Sequence, residues 1–530
     1  MTLTRVQRSG AGPRLAEAGD RLGRLDRPGA GSAAHHDDLR LFCVAQRGPR
    51  VDAARLLDLW PEDDGVYWEE SGAEWVGLGV AAELRGEGPG RFAQLVQGAA
   101  DLFSRLEVAQ DDAPRPRLFG GLSFRPTIYE SLWRRFGAAS FVLPRVLVRC
   151  DEDESTWMLA VPSSGGSQAP AAPEADAEAG DEIRRSALAE LERLRLRAQR
   201  LAVVGRPPGT GPRTTPAVRN VADEQWLRGV RSAVAAIEQG SLEKVVLARR
   251  EVVALGRREP SVAAVLALLQ QQAPESRRFV VRRSGALFVG ATPERLVRRR
   301  GLDVETVALA GTVHRRPEAS LAELGGQLMA SSKDRHEHDL VVSALRSWLQ
   351  PLCSSVEVPA EPGVRALRYL LHLETAIHAE LKEPVHVLRL VEALHPTPAV
   401  GGRPRAAAVA WIDAHEQFDR GWYAAPVGWF DANGDGEFHV ALRSLLLSEG
   451  RGYLYAGAGI VDESVAELEF AETEDKLQGI HAIVAQLGAP GATDGAGAGD
   501  APGAAASAEA ALEPNAPSEQ GNGRAVDATA

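Results

Sequence analysis

A chain of 530 residues, 44% hydrophobic and 25% charged, carries enough apolar material for a large core, which excludes collagen-like, coiled-coil and wholly disordered classes. At roughly 100–200 residues per domain, the length implies several domains or one large domain with appendages. A formal net charge of −12 argues against nucleic-acid and anionic-membrane partners, so an anionic substrate would need a locally positive site.

Residues 1–38 are rich in Arg, Gly and Ala, lack the apolar core of a signal peptide, and read as a disordered leader. No run of about 18 apolar residues occurs, so no ordinary transmembrane helix is expected and the chain is placed in the cytoplasm. Residues 39–215 alternate short apolar runs with turn signals and form the N-terminal part of the fold. Within them, residues 163–181 have almost no large apolar side chain and read as a flexible insert, and Asp181 to Leu201 has helical spacing. Residues 216–487 carry β-rich runs such as KVVLARREVVAL and GYLYAGAGIV between helical stretches, a pattern that predicts α+β with antiparallel sheets. Residues 488–530 are Ala, Gly, Pro, Asp and Glu with few aliphatic anchors, and read as a disordered tail. The cysteines Cys43, Cys150 and Cys353 lie too far apart for a disulfide framework or a metal-ligand spacing.

Of the 60 basic residues only four are lysine, namely Lys244, Lys333, Lys382 and Lys476. Where arginine is the default cation, a surviving lysine is either a random remnant or does what guanidinium cannot, such as losing a proton. Three resemblances to known motifs are set aside. DANGDGE at Asp431 to Glu437 starts like a calcium loop, but its twelfth position is Leu442, and the flanking apolar runs predict a hairpin turn. Gly205 to Thr215 lacks the lysine of a phosphate loop, and His336 and His338 do not make H-E-x-x-H.

Glu469, Glu472 and Lys476 fall at i, i+3 and i+7, on one face of a helix, and Glu337 follows Ser-Ser-Lys-Asp-Arg-His at the start of another predicted helix. Convergent carboxylates without a Cys or His set are hard-oxygen chemistry and fit Mg²⁺; the same spacing also fits a solvated helix face with salt bridges. Lys244 opens an apolar β-like run and Glu294 follows Thr-Pro at a strand end. They form either a base and acid pair across a substrate or an edge lysine and a capping glutamate.

Taken in order, KVVLAR, FVGATPERL, ALAGT, SKDRHEH, LHPTPAVGG, VALRS, AGAGIV and ELEFAETEDKL run from Lys244 to Leu477. This set resembles the chorismate-utilising enzyme family and, within it, the isochorismate synthase branch. The resemblance implies one α+β domain built as a large antiparallel β-sandwich flanked by helices. It implies that Lys244 activates water and Glu294 protonates the departing hydroxyl. It also implies that Glu337 and Glu472, helped by Glu469, hold Mg²⁺. His372, Ala399, Tyr423, Arg443, Gly457, Gly459 and Lys476 would line the substrate, chorismate. Ala308-Leu309-Ala310 before Gly-Thr lacks the nucleophilic lysine of aminodeoxychorismate synthase, and the amine-forming siblings, which use ammonia, lack a water-activating lysine at the position of Lys244; the resemblance therefore implies water as the nucleophile and no glutamine amidotransferase subunit. Salicylate synthases share the lysine and glutamate but usually carry Thr at the position of Ala399; they are the alternative branch, and a non-catalytic chorismate-binding protein is the remaining one. Ala425, Ala466 and Phe470 depart from the family's usual Gly, Pro and Trp.

Overall fold

The structure, a computed structural model, describes residues 40–487 except 62, 111–112, 164–172, 205–223, 256–259 and 317. The expected leader and tail, and the loop at 205–215, lie outside the described residues. Among the described residues two sheets form, one of 12 strands and one of 10, and every ladder is antiparallel except that between Leu41–Pro49 and Leu106–Val108.

The strands come from the apolar runs with turn residues between them. Arg277–Arg283 and Ala286–Thr292 pair across Ser284-Gly285, where both residues take positive φ (47° and 79°). Pro426–Asp431 and Gly436–Val440 pair across the segment that mimicked a calcium loop. There the Asp431 carboxylate accepts from the Asn433 and Asp435 amides at 2.9 and 3.2 Å, which is the hairpin turn the sequence predicts.

Both halves of the chain are woven into both sheets. Gly65–Glu70 pairs with Arg277–Arg283 in the larger sheet, and Arg117–Leu122 pairs with Pro426–Asp431 in the smaller. The boundary near residue 215 is therefore not a junction between separate bodies. One apolar core joins strands of both sheets through residues such as Trp68, Phe119, Phe288 and Phe438. A second lies between the larger sheet and the helices Ala53–Leu59, Val262–Gln272 and Ala466–Leu487. The helix expected over 181–201 runs Pro173–Val204, so the second half of the segment read as a flexible insert is helical; residues 164–172 lie outside the described residues. No described helix is long and apolar enough to cross a membrane.

Two crossings from one sheet to the other matter most. Ala286–Thr292 belongs to the larger sheet and Arg295–Arg300 to the smaller, so Pro293-Glu294 is a crossover. Gly436–Val440 and Ser444–Ser448 make the reverse passage through Ala441-Leu442-Arg443. The crossings lie side by side: the Val440 amide donates to the Glu294 carbonyl at 3.0 Å, and the Ala291 amide to the Arg443 carbonyl at 3.3 Å. A chain that changes sheets cannot continue its ladder, so these residues turn their side chains into the space where the sheets part.

Candidate active site

That space is a cleft of about 780 Å³, partly continuous with solvent. It is lined by Glu294, Glu337, His372, Ala399, Tyr423, Arg443, Gly457, Gly459, Glu472 and Lys476, ten of the twelve residues singled out in the sequence. Lys244 and Glu469 are not on its wall.

Lys244 begins the strand Lys244–Ala254 and is fully buried. Its Nζ donates to Glu337 Oε1 at 2.9 Å. Gly459 sits on the neighbouring strand, opposite Val246, and a Cβ there would lie 2.7 Å from Glu337 Oε1 and 3.0 Å from Lys244 Cε. Glycine is thus what lets this pair reach the cleft past the backbone. The ladder between Ser444–Ser448 and Arg451–Ile460 stops at Leu454, so Gly457 and Gly459 have a strand neighbour on one edge alone.

Glu294 is 3% exposed and its pKa is pushed up to about 8, by burial first, with Lys244 and Lys476 pulling the other way. At neutral pH it is a carboxylic acid that can donate a proton. Arg443, at φ 48°, occupies a left-handed conformation that a non-glycine residue seldom takes, held by its place at the sheet crossing. Burial lowers its pKa to about 10, so it stays cationic, and its Nη1 donates to the Lys476 carbonyl at 2.8 Å. Burial, Arg443 and Lys476 push His372 down to about 3, which leaves a neutral imidazole whose Nδ1 lies 3.1 Å from the Thr312 hydroxyl and the Gly311 carbonyl. Tyr423 stacks on Tyr455 with centroids 5.0 Å apart, and burial raises its hydroxyl to about 12.

Glu472 and Lys476, neighbours by helix spacing, do pair, and the other two carboxylates meet lysines from elsewhere in the chain. Each has its own lysine: Glu337 takes Lys244, Glu469 takes Lys333 at 3.0 Å, and Glu472 takes Lys476 at 2.5 Å. Three of the chain's four lysines are used this way, and Lys476 also donates to the Gly457 carbonyl at 2.9 Å. Among the described residues, no three acidic, His or Cys side chains stand as a ready metal-ligating group. Even so, the electrostatics fit a divalent cation. Burial and then the adjacent Glu472 push Glu469 up, and Lys333 is held above its usual value because the fields of Glu469, Glu337 and Glu472 outweigh its burial. Burial works against the Glu472 carboxylate, but Lys476 and Lys333 more than offset it. All three carboxylates therefore act on one locus that lysine ammonium groups neutralise here. The donor set is hard oxygen throughout.

Among the cleft residues to which the sequence gave no role are Thr312, Gly311, Arg420 and Tyr455. Gly311 and Thr312 lie in the ALAGT run, and Tyr455 immediately precedes AGAGIV, so position within the motifs was the available signal. Phe470, standing where the family usually has Trp, keeps an aromatic contact with Trp226 at 5.8 Å and lies under Arg249 at 4.5 Å.

A cleft lined by a protonated, buried carboxylic acid, the cations Arg443 and Lys476 and the carboxylates Glu337 and Glu472 has the make-up of an enzyme site for a small organic anion. The family described as chorismate binding enzyme matches residues 30–485, and the chain belongs to it. It is 41% identical to the "Salicylate biosynthesis isochorismate synthase" of Pseudomonas aeruginosa over 83% of this chain and 89% of that one. It is 34% identical to the "Isochorismate synthase MenF" of Bacillus subtilis over 70% and 75%. Among solved structures it resembles MenF, the menaquinone-specific isochorismate synthase from Escherichia coli, with a TM-score of 0.64, 27% identity, and 84% and 95% of the two chains covered.

Proposed function

We propose that the protein is an isochorismate synthase, an isomerase that adds water at ring C2 of chorismate and expels the C4 hydroxyl. The observation that carries this reading is the carboxylic acid Glu294, which burial keeps protonated at neutral pH on the cleft wall, with the buried Lys244 near enough to act on it electrostatically. Lys244 takes a proton from the attacking water while Glu294 gives one to the departing hydroxyl, which leaves as water. Arg443 and Lys476 hold the substrate carboxylates, and neutral His372 lies beside the ring with Tyr423 and Ala399 bounding it. Because water is the nucleophile, no amidotransferase partner is needed, and a cytoplasmic location is proposed with it. The deciding experiment is to supply chorismate and Mg²⁺ and look for isochorismate; no turnover of chorismate would sink the reading.

Glu337 and Glu472, with Glu469 behind them, are the residues that would hold Mg²⁺. The ion would neutralise a substrate carboxylate that the protein's own acidic cluster would otherwise repel. Chelation with EDTA should abolish turnover, and Mg²⁺ should restore it. Glu472→Gln should lose most activity and bind Mn²⁺ more weakly in a spin-resonance titration. Full activity in chelator would remove the metal from the reaction.

Salicylate formation differs by a further elimination of pyruvate. Ala399 presents only a methyl group to the cleft, where a threonine hydroxyl could approach the ring. The native enzyme is expected to release isochorismate with little pyruvate, and Ala399→Thr to raise the pyruvate fraction. Abundant pyruvate from the native enzyme alone would assign it to the salicylate branch.

A further inference from the structure

The two-residue strand Gly402–Arg403 forms the edge of the larger sheet beside Lys244–Ala254, and its ladder reaches only Lys244 and Val245. From Val246 onward that edge has no strand beside it, although Val246 and Ala248 are buried. Buried peptide groups left without partners are costly, so something must complete them. The Gly401 carbonyl accepts from the Val246 amide at 2.8 Å. The Val246 carbonyl accepts from Arg420 Nη2 at 2.7 Å, and Glu416 Oε1 accepts from the Ala248 amide at 2.8 Å. Arg420 and Glu416 are joined in turn: Nε donates to Glu416 Oε2 at 2.7 Å, and Nη2 to Oε1. The remaining nitrogen, Nη1, donates to the Val400 carbonyl at 2.8 Å. A carboxylate–guanidinium pair, its side chains 0% and 1% exposed, thus takes the place of a missing strand.

The pair ties together three parts of the cleft. One is the strand that opens with Lys244 and presents Val246; the second is the 397–401 loop with Ala399; the third is the segment leading from Arg420 into Tyr423. Arg420 lines the cleft itself, and its guanidinium lies 4.3 Å from the Phe124 ring, which meets His395 edge-on at the head of the loop. A fully buried ion pair adds little stability over apolar side chains of similar volume, so its contribution is sought in geometry. The planar fork reaches two carbonyls and a carboxylate at fixed angles; a lysine is a single point charge and cannot hold all three in that geometry.

We propose that Arg420, oriented by Glu416, is a positioning and specificity-determining residue that sets the distance between the Lys244 strand and the Ala399 loop, and with it the share of turnovers ending in isochorismate rather than pyruvate. This rests on the isochorismate synthase reading. The test uses the full chain with chorismate and Mg²⁺, measuring isochorismate, pyruvate, kcat and KM for Arg420→Lys and Glu416→Gln, with circular dichroism to establish that each folds. Since a displacement of an ångström can cost about a hundredfold, Arg420→Lys is expected to lose about tenfold in kcat and to raise the pyruvate-to-isochorismate ratio at least about twofold. Glu416→Gln keeps the guanidinium and the side-chain shape, and should shift the ratio in the same direction by less. A structural role alone lowers the melting temperature but leaves the ratio and KM of the folded enzyme unchanged. That outcome in either folded variant overturns the proposal, and so does failure of both to fold, which would assign the pair to folding. If the native enzyme makes no isochorismate, the function is wrong instead, a result visible before any variant is made.

Discussion

Lys244→Arg is expected to keep the fold and lose at least roughly a hundredfold in turnover, the lower end for removing a general base. The amine must be neutral at the moment it accepts a proton from water, and an arginine does not give up its charge under these conditions. Lys244→Ala should lose a similar amount, because in the proposed mechanism the residue's task is proton transfer. Chorismate binding should survive in the alanine variant, since Arg443 and Lys476 still face the cleft. The structure sharpens the competing view. Lys244 is ion-paired with Glu337 at 2.9 Å, so it could serve only as a counter-charge. In that case arginine would be tolerated and alanine would be crippled in binding. Turnover and chorismate affinity for both variants separate the two, and an active Lys244→Arg enzyme would remove Lys244 from the role of base.

Glu294→Gln should be nearly as damaging, and it carries a pH signature. With its pKa raised to about 8 by burial, Glu294 holds its proton through neutrality and loses it above that pH. A general acid works only while protonated, so kcat/KM should be flat below about pH 7 on this limb and fall as pH rises through about 8. Glutamine keeps the shape and the backbone hydrogen bond to Val440 but has no acidic proton. The variant should lose at least roughly a hundredfold, and its residual activity should lack the descending limb near pH 8. Near-native activity with the limb intact would mean that another group supplies the proton.

Much of the fold was legible along the chain because its signals are local. Apolar runs broken by Ser284-Gly285 or by Asp431 to Asp435 specify hairpins whatever surrounds them, since positive φ and side-chain caps act within a few residues. The helices Ser332–Leu349 and Ala466–Leu487 follow from spacing in the same way. The helix Pro173–Val204 begins earlier than expected because its first residues, Pro, Ala, Glu, Asp and Gly, carry no apolar stripe by which its start could be read.

The candidate site residues stood out in the sequence for a different reason. The rarity of lysine among 60 basic residues marked Lys244 and Lys476, and the ordered motifs marked Glu294, Glu337, Arg443 and Glu472. By itself the sequence determined most of the strands and helices, because each depends on side chains close together in the chain, and its ordered motifs pointed to ten residues that the structure gathers around one cleft. Partnership was decided only by the tertiary structure. Helix spacing gave Glu472 and Lys476 as neighbours, but not that Lys244, 93 positions away, would pair with Glu337, or that Lys333 would take Glu469. Nor could it show the Glu416–Arg420 pair standing in for a strand beside Val246. Those contacts depend on where the two sheets part and on which backbone groups burial leaves without a neighbour, and both are properties of the packed chain.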